Sequence, residues 1–301
     1  MGSIRLAAAA ASLILSGCVT TDFSGPPLPK SPIVFPTEAV PVPTNTPPRP
    51  QLQRTVLYRP SQGSGPFPAV VMLHTCGGVG AHIIDWARRL TSDGYVALVV
   101  ASNGARNVAD NCQGAYSLIS LESVGGDATA ALAHLLSHPL VRNDALAVIG
   151  FSFGSMAAVR LASASYQKRA IEGVDGLRAI AFFYGSCGVD SPDATARRTS
   201  DNVPSDVVTP TMLFLGDEDN ETPASFCVAR AKAVKASGRP IDYRLYPKTT
   251  HSFDDPFNGI QGRTIYHGAR GPFTYRYNPE ATKDTWRETK ALFDRELKGV
   301  K

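Results

Sequence analysis

The stretch that decides the fold is "AVIGFSFGS", residues 147–155. Its first four residues are typical of a buried strand, and the small apolar residues from Met156 onward favour a tightly packed helix. A strand that enters a helix without a loop needs a sharp turn, where glycines such as Gly150 and Gly154 avoid a clash. Such a turn would raise Ser152 above the sheet edge at a helix N-terminus, whose amides favour developing negative charge. The pattern G-x-S-x-G is weak alone, but in this context it predicts Ser152 as a nucleophile.

Apolar strands alternate with helices along the chain from residue 51 onward. Strands are predicted at 54–60, 69–74, 95–101, 145–149, 179–185, 211–216 and 241–247. Helices are predicted at 82–94, at 121–138, after Ser152, at 224–237 and at 280–297. This alternation predicts an α/β fold with a mostly parallel central sheet and helices on both faces, in one domain over residues 51–301.

The N-terminal sequence "MGSIRLAAAAASLILSGC" has one early positive charge and then an apolar run that is too short to span a bilayer. It predicts a signal peptide over residues 1–17. Its last four residues resemble the bacterial lipoprotein cleavage motif, so we expect lipidation at Cys18 and a lipid-anchored protein on the periplasmic side of the cell envelope. The alternative is an ordinary secreted protein with a chance cysteine at this position.

Residues 18–50 are predicted to form a tether between the lipid and the domain. Ten of the 23 prolines fall within residues 22–50, where almost no periodic apolar pattern occurs. We therefore expect an extended segment that packs no core. The prolines disfavour a strand-rich N-terminal module as the alternative.

The charge and the glycine pattern argue against two classes of binding protein. The 301 residues carry a formal net charge of +4 without a basic run, so nucleic-acid binding has no support. "GGVG" near residue 77 lacks the full spacing of a dinucleotide-binding loop. We expect no metal and no organic cofactor.

Four cysteines remain beside Cys18, namely Cys76, Cys112, Cys187 and Cys227. An even number in an exported chain predicts two disulfides, with three possible pairings. Metal binding is a poor alternative because the cysteines lack ligand spacing and no histidine cluster accompanies them.

A serine nucleophile needs a histidine base that is oriented by a carboxylate. Among the six histidines, His251 follows the last predicted strand, at the sheet edge where Ser152 must also lie. The acidic turn after strand 211–216 supplies the acid, for which Asp219 is the choice and Asp217 the fallback. The order serine, acid, histidine is that of an α/β-hydrolase triad.

The remaining polar candidates near these motifs receive other interpretations. Glu218 and Glu221 are expected in a solvated turn, and His267 in a long loop. His74 is expected to hold the loop after strand 69–74. The other histidines are expected to be ordinary amphipathic residues of helices or helix ends, namely His82, His134 and His138.

An oxyanion formed by attack on a carbonyl needs amide donors. Phe153, directly after the nucleophile, is expected to supply one N–H, and Thr75 or Cys76 in "HTCGGVG" the other. Cys76 as an alternative nucleophile lacks the strand-to-helix turn.

Two sets of residues are weaker candidates for substrate contacts. Arg106 is considered for an anionic substrate, with a solvated loop arginine as the alternative. Five aromatic residues are considered for an apolar acyl pocket, although aromatics beside buried strands more often belong to the core; they are Phe151, Phe153, Phe182, Phe183 and Tyr184.

Over residues 51–298 the chain resembles the dienelactone hydrolase family of α/β-hydrolases. The resemblance depends on "VVMLHTCGGVG", "VIGFSFGS", "LFLGDEDNETP" and "YPKTTHSFDDP", with a closing helix that contains "TWRET". It implies Ser152 as nucleophile, Asp219 as acid and His251 as base. Dienelactone hydrolases proper use a cysteine nucleophile and arginines that hold the substrate carboxylate, so the serine here leaves the lactone substrate open.

The resemblance to exported members of the family, around "FYGSCG" and "ETPASFC", implies a disulfide between Cys187 and Cys227, with Cys76 and Cys112 as the second pair. The expected activity is hydrolysis of a small-molecule carboxylic ester or lactone through an acyl-enzyme. Two alternatives stay open: a catalytically silent envelope scaffold that keeps the fold, and acyl transfer by the same residues.

Overall fold

The computed structural model describes residue 23 and residues 25–43, 54–112, 118–170, 176–188 and 201–299. Its centre is a seven-stranded sheet in the order β1-β3-β2-β4-β5-β6-β7. β1 runs antiparallel to β3 and every other neighbouring pair is parallel. The strands are β1 (Val56–Tyr58), β2 (Phe67–Leu73), β3 (Val96–Val100), β4 (Val141–Phe151), β5 (Leu177–Phe183), β6 (Thr211–Gly216) and β7 (Ile241–Tyr246).

Helices cover both faces of this sheet, as the sequence predicts. They are α1 (Ala81–Ser92), α2 (Leu121–Leu136), α3 (Phe153–Arg160), α4 (Ala164–Ala170), α5 (Ala224–Ala236) and α6 (Pro279–Phe293). Successive side chains of β2 enter opposite cores: Val71 belongs to the core that also contains residues of α2, α3 and α5, whereas Val70 belongs to the core that contains residues of α1 and α6. The mostly parallel α/β fold is therefore confirmed.

Within the described residues, a short helix and a β-hairpin were not predicted from the sequence. α4 follows α3 directly, and an antiparallel hairpin of β8 (Arg263–His267) and β9 (Arg270–Tyr275) lies in a stretch that we interpreted as a loop. The prediction for His267 is thus wrong, because it ends a strand. Most hairpin residues are half-buried or exposed, and Gly271 interrupts β9, so the apolar alternation of the two strands is too weak to read from the sequence.

The prediction that the proline-rich segment packs no core is wrong for residues 25–43, which we call the N-terminal strap. Ile33 is 8% exposed and belongs to the core that contains α2. Phe35 stacks on His134 with ring centroids 5.1 Å apart, and Val40 exchanges backbone hydrogen bonds with β1 and Arg59. Proline prevents regular secondary structure, but the apolar side chains between the prolines can still be buried.

Residues 1–22, which include the predicted signal peptide and Cys18, lie outside the described residues. Within the described part of the chain, no helix is both long and apolar enough to cross a bilayer.

Two disulfides tie loops at the carboxyl edge of the sheet. Cys76 bonds to Cys112, which joins the loop after β2 to the loop after β3, and Cys187 after β5 bonds to Cys227 in α5. The pairing of Cys187 with Cys227 that the family resemblance implies is confirmed, and so is the remaining pair, Cys76 with Cys112.

Candidate active site

Ser152 stands in a sharp turn between β4 and α3. Its φ is +50°, and its side chain lies at the carboxyl edge of the sheet. A Cβ at Gly150 would lie 2.4 Å from Cα of Ser155, and a Cβ at Gly154 would lie 2.5 Å from the carbonyl oxygens of Leu73 and His74. Both positions therefore require glycine for the strand and the helix to approach so closely.

His251 connects Ser152 to Asp219. Its Nε2 lies 2.9 Å from Oγ of Ser152, and its Nδ1 lies 2.8 Å from Oδ2 of Asp219. All three side chains are buried, although they come from the ends of three strands, β4, β6 and β7. The structure therefore brings the three predicted residues into one hydrogen-bonded row.

Asp219 is held by its own turn. Its Oδ1 accepts hydrogen bonds from the backbone N–H groups of Glu221 and Thr222, at 3.0 and 2.8 Å, and the Thr222 hydroxyl lies 2.9 Å from its Oδ2. The fallback residue, Asp217, is exposed and accepts a hydrogen bond from the backbone N–H of Thr249 instead. The geometry thus selects Asp219 as the partner of His251.

The imidazole of His251 lies in a strongly negative environment. Burial lowers its pKa, but the charges of Asp219 and Glu221 outweigh that effect and raise the pKa to about 9. The two carboxylates therefore favour the protonated form of His251, which must lose its proton before the imidazole can act as a base.

The loop after β2 faces Ser152 across the site. His74 Nδ1 lies 2.6 Å from the carbonyl oxygen of Thr75, and Asn103 donates a hydrogen bond from its side-chain amide to the carbonyl oxygen of Cys76 at 2.9 Å. Burial lowers the pKa of His74, which keeps this imidazole neutral. His74 therefore holds the loop, as expected, and Asn103 does so as well, without a sequence motif that marks it.

The site opens into a cleft of about 510 Å³. Thr75 and Cys76 line it together with Ser152 and His251, and residues of the β8–β9 hairpin form another wall. Phe153 follows Ser152 in the chain and begins α3, so both predicted sources of amide donors lie at the nucleophile. Arg263, Ile265, Tyr266, His267 and Tyr275 are the hairpin residues in that wall.

The five aromatic residues considered for an acyl pocket do not line this cleft. Each of them is at most 1% exposed, and all belong to the two cores beside the sheet. These rings therefore lie beneath the site and do not line the cleft. The interpretation of these residues as an acyl pocket is therefore wrong.

Arg106 does not face a substrate. It makes two hydrogen bonds to the fully buried carboxylate of Asp127, which also accepts one from Ser31 of the N-terminal strap. Arg106 was interpreted as an anion contact or as a solvated loop arginine, and neither interpretation agrees with the structure. A buried carboxylate needs a paired charge, and Arg106 supplies it.

The prediction that Glu221 lies in a solvated turn is also wrong. Its side chain is 5% exposed and lies between His251 and the hairpin, where the hydroxyl of Tyr275 donates a hydrogen bond to it. Glu218 is exposed, as expected, and pairs with Arg276. Both acids lie in one turn of the sequence. Only the position of the hairpin makes Glu221 buried and leaves Glu218 exposed.

Among the described residues, three side chains lie close enough together to be considered as metal ligands, namely Cys76, Cys112 and His267. The two cysteines are joined in a disulfide, so they offer no thiolate ligand.

Comparisons with known proteins agree with this architecture. The family model described as "Dienelactone hydrolase family" matches residues 53–297. A protein of Escherichia coli strain K12 named "Putative carboxymethylenebutenolidase" is 25% identical over 218 residues, which are 70% of this chain and 74% of that protein. A Bradyrhizobium protein named "Probable 2-oxo-3-(5-oxofuran-2-ylidene)propanoate lactonase" is 23% identical and covers 75% of this chain and 83% of its own length.

Among solved structures, a dienelactone hydrolase-like promiscuous phosphotriesterase from metagenomic libraries superposes with a TM-score of 0.59 at 22% identity. The match covers 81% of this chain and 92% of that chain. Since the family model spans most of the sequence and the fold agrees, this chain belongs to the dienelactone hydrolase family.

Proposed function

We propose that this protein is a serine hydrolase that cleaves a carboxylic ester or lactone through an acyl-enzyme. The observation that carries the proposal is the row of contacts at His251, with Ser152 Oγ at 2.9 Å and Asp219 Oδ2 at 2.8 Å. Relatives named as a lactonase and as a carboxymethylenebutenolidase support the substrate class.

The reaction begins with attack of Ser152 Oγ on the substrate carbonyl, while its proton moves to Nε2 of His251. Asp219 fixes the imidazole through Nδ1 and stabilises the resulting imidazolium. The negative charge on the carbonyl oxygen is met by backbone N–H groups of Phe153 and of the Thr75–Cys76 loop. Each such donor contributes about 3 kcal/mol to stabilisation of the transition state.

Collapse of the tetrahedral intermediate releases the alcohol, which takes the proton from His251. A water molecule then attacks the acyl-enzyme, and His251 accepts its proton as general base. His251 then returns this proton to Ser152 Oγ as the free acid leaves, which restores the serine. Transfer to an alcohol in place of water would use the same groups.

For the location of the protein we propose a lipid anchor at Cys18 and a place at the periplasmic side of the envelope. Two disulfides support an oxidising compartment. Only four residues separate Cys18 from Phe23, whose ring packs against Tyr166 of α4. The anchor would therefore hold the domain within about 17 Å of the lipid, much closer than a free tether of residues 18–50 would.

The experiment is turnover of short-chain and medium-chain p-nitrophenyl esters by a chain that starts at residue 19 and so keeps the N-terminal strap. Wild type is compared with Ser152→Ala and with Ser92→Ala, a control on the exposed side of α1. Labelling by a fluorophosphonate is measured on the same samples.

We expect turnover and labelling in wild type and in Ser92→Ala, and neither in Ser152→Ala. A folded, disulfide-bonded wild type that is not labelled would refute the serine mechanism and would favour the scaffold alternative. Ester formation with added alcohol in place of free acid would indicate acyl transfer.

A further inference from the structure

A second carboxylate, that of Glu221, approaches the imidazole of His251 from the side that faces Ser152. Its Oε2 lies 3.9 Å from Nε2 of His251, whereas Asp219 contacts Nδ1 on the opposite side of the ring. The imidazole therefore lies between two acids that come from the same turn after β6.

The β8–β9 hairpin holds Glu221 in this place. Tyr275 donates a hydrogen bond from its hydroxyl to Oε2, and Nε2 of His267 lies 3.4 Å from Oε1. The guanidinium of Arg270 lies 3.7 Å from Oε1. Each of these partners comes from the hairpin, so its docking on the sheet edge fixes the second carboxylate.

Glu221 is shielded from the substrate. Its side chain is 5% exposed, and Tyr275 and His267 stand in the wall of the cleft in front of it. An effect of Glu221 on the reaction must therefore pass through His251.

We propose that Glu221 is a positioning residue that stabilises the imidazolium form of His251, and that the hairpin is the element that keeps it there. The inference rests on the proposed function, since it assigns a role in the step in which Nε2 takes the proton of Ser152. Glu221 itself takes no proton in this step. It lowers the energy of the positive charge that the transfer creates on His251.

Glu221 carries the negative charge that this role needs. Burial raises its pKa, but the positive charge of His251 and the hydrogen bonds from His267 and Tyr275 outweigh burial and lower the pKa to about 2. It is therefore ionised over the whole range in which the enzyme would work.

Other groups also face His251, and each must be considered beside Glu221. Asp219 lies on the same turn after β6, and Tyr275 of β9 has its ring centroid 5.2 Å away. Tyr184 after β5 has its centroid 5.0 Å away and donates a hydrogen bond to Asp254, the remaining carboxylate near the ring. Asp254 also accepts one from Trp86 of α1, so its charge is compensated by two donors that the hairpin does not touch.

The consequence is a definite effect on pH dependence. Only neutral His251 can accept the proton of Ser152, so activity should rise with pH through the pKa of His251, which is about 9. Removing the charge of Glu221 should lower the pKa of His251. The rising part of the pH profile, which we call the acid limb, should therefore move to lower pH by about one unit or more. Removing this charge should also lower the plateau at high pH, because the imidazolium of the transition state loses a stabilising charge. The two profiles should cross.

The test compares kcat/KM against pH for wild type, Glu221→Gln and Glu218→Gln. Glu218 is the matched control, because it is an acid of the same turn that pairs with Arg276 at the surface. We expect the crossing profile for Glu221→Gln and an unchanged limb for Glu218→Gln. Glu221→Asp, which keeps the charge, should keep the limb close to that of wild type.

A second measurement separates this inference from the proposed function. The pKa of the His251 imidazole is measured by NMR titration in Ser152→Ala, with and without Glu221→Gln, and needs no turnover. A lower pKa in the double variant supports the role of Glu221 even if the tested esters are not substrates. An unchanged pKa in a folded double variant overturns the inference, whatever the activity of the wild type.

Discussion

The close approach between α3 and the end of β2 leads to a quantitative prediction for Gly154→Ala. The added Cβ would lie 2.5 Å from two backbone carbonyl oxygens, those of Leu73 and His74. An ordinary contact requires about 1 Å more, and these carbonyls belong to the last residue of β2 and to the residue that follows it, so they cannot move without the strand. The N-terminus of α3, which carries Ser152, must therefore shift by roughly this amount.

Such a shift acts on two contacts at once. It lengthens the 2.9 Å contact between Ser152 Oγ and His251 Nε2, and it weakens the hydrogen bond that Gly154 N–H donates to the carbonyl oxygen of His74 at 3.0 Å. Since a misplacement of about 1 Å can cost about 10²-fold in rate, we expect kcat to fall by about 10²-fold. KM should change less, because the cleft walls stay in place.

The assay is steady-state hydrolysis of a p-nitrophenyl ester, with the rate of fluorophosphonate labelling as a direct measure of the nucleophile. Thermal unfolding and disulfide content show that the variant is folded. Gly25→Ala is the control, because its Cβ would meet only the flexible end of Arg169. A folded Gly154→Ala variant with a kcat within about threefold of wild type would refute the argument that this packing positions Ser152.

Three further predictions concern stability. The pKa of His251 is raised to about 9, so its contribution to stability is fully present below pH 6.5 and is lost as pH rises through 9. The free energy of unfolding should therefore fall by about 3 kcal/mol over this range. Denaturant titrations should show that His251→Ala removes this pH dependence. Asp127→Ala leaves the guanidinium of Arg106 without its buried partner and should lower the free energy of unfolding by about 3–5 kcal/mol. A decrease under about 1 kcal/mol in urea unfolding would contradict the interpretation that the two form a stabilising buried pair. Removing the disulfide by Cys187→Ala with Cys227→Ala opens a loop with a sequence separation of 40 and should cost about 4 kcal/mol, measured by the same unfolding assay against the wild type.

Local patterns were sufficient to predict the sheet and the row of three residues. Strands with continuous apolar runs, such as β3 and β6, are buried on both faces and are visible in any window of the sequence. Ser152 and Asp219 each follow such a strand, and His251 follows β7, a partly exposed strand at the edge of the sheet. Because the carboxyl ends of parallel strands meet at one edge, their order along the chain already implies that they lie together.

Only the tertiary structure shows where the half-exposed segments pack. The N-terminal strap and the β8–β9 hairpin have no strong period, so nothing local shows which surface they cover. Glu218 and Glu221 look alike in the sequence, yet one meets solvent and the other meets His251, because the hairpin covers only the second. The sequence by itself determined the sheet and the order of its reactive side chains, since these depend on periodicity and on strand ends. The environment of His251 depends on contacts between segments distant in the chain, and those exist only once the fold has formed.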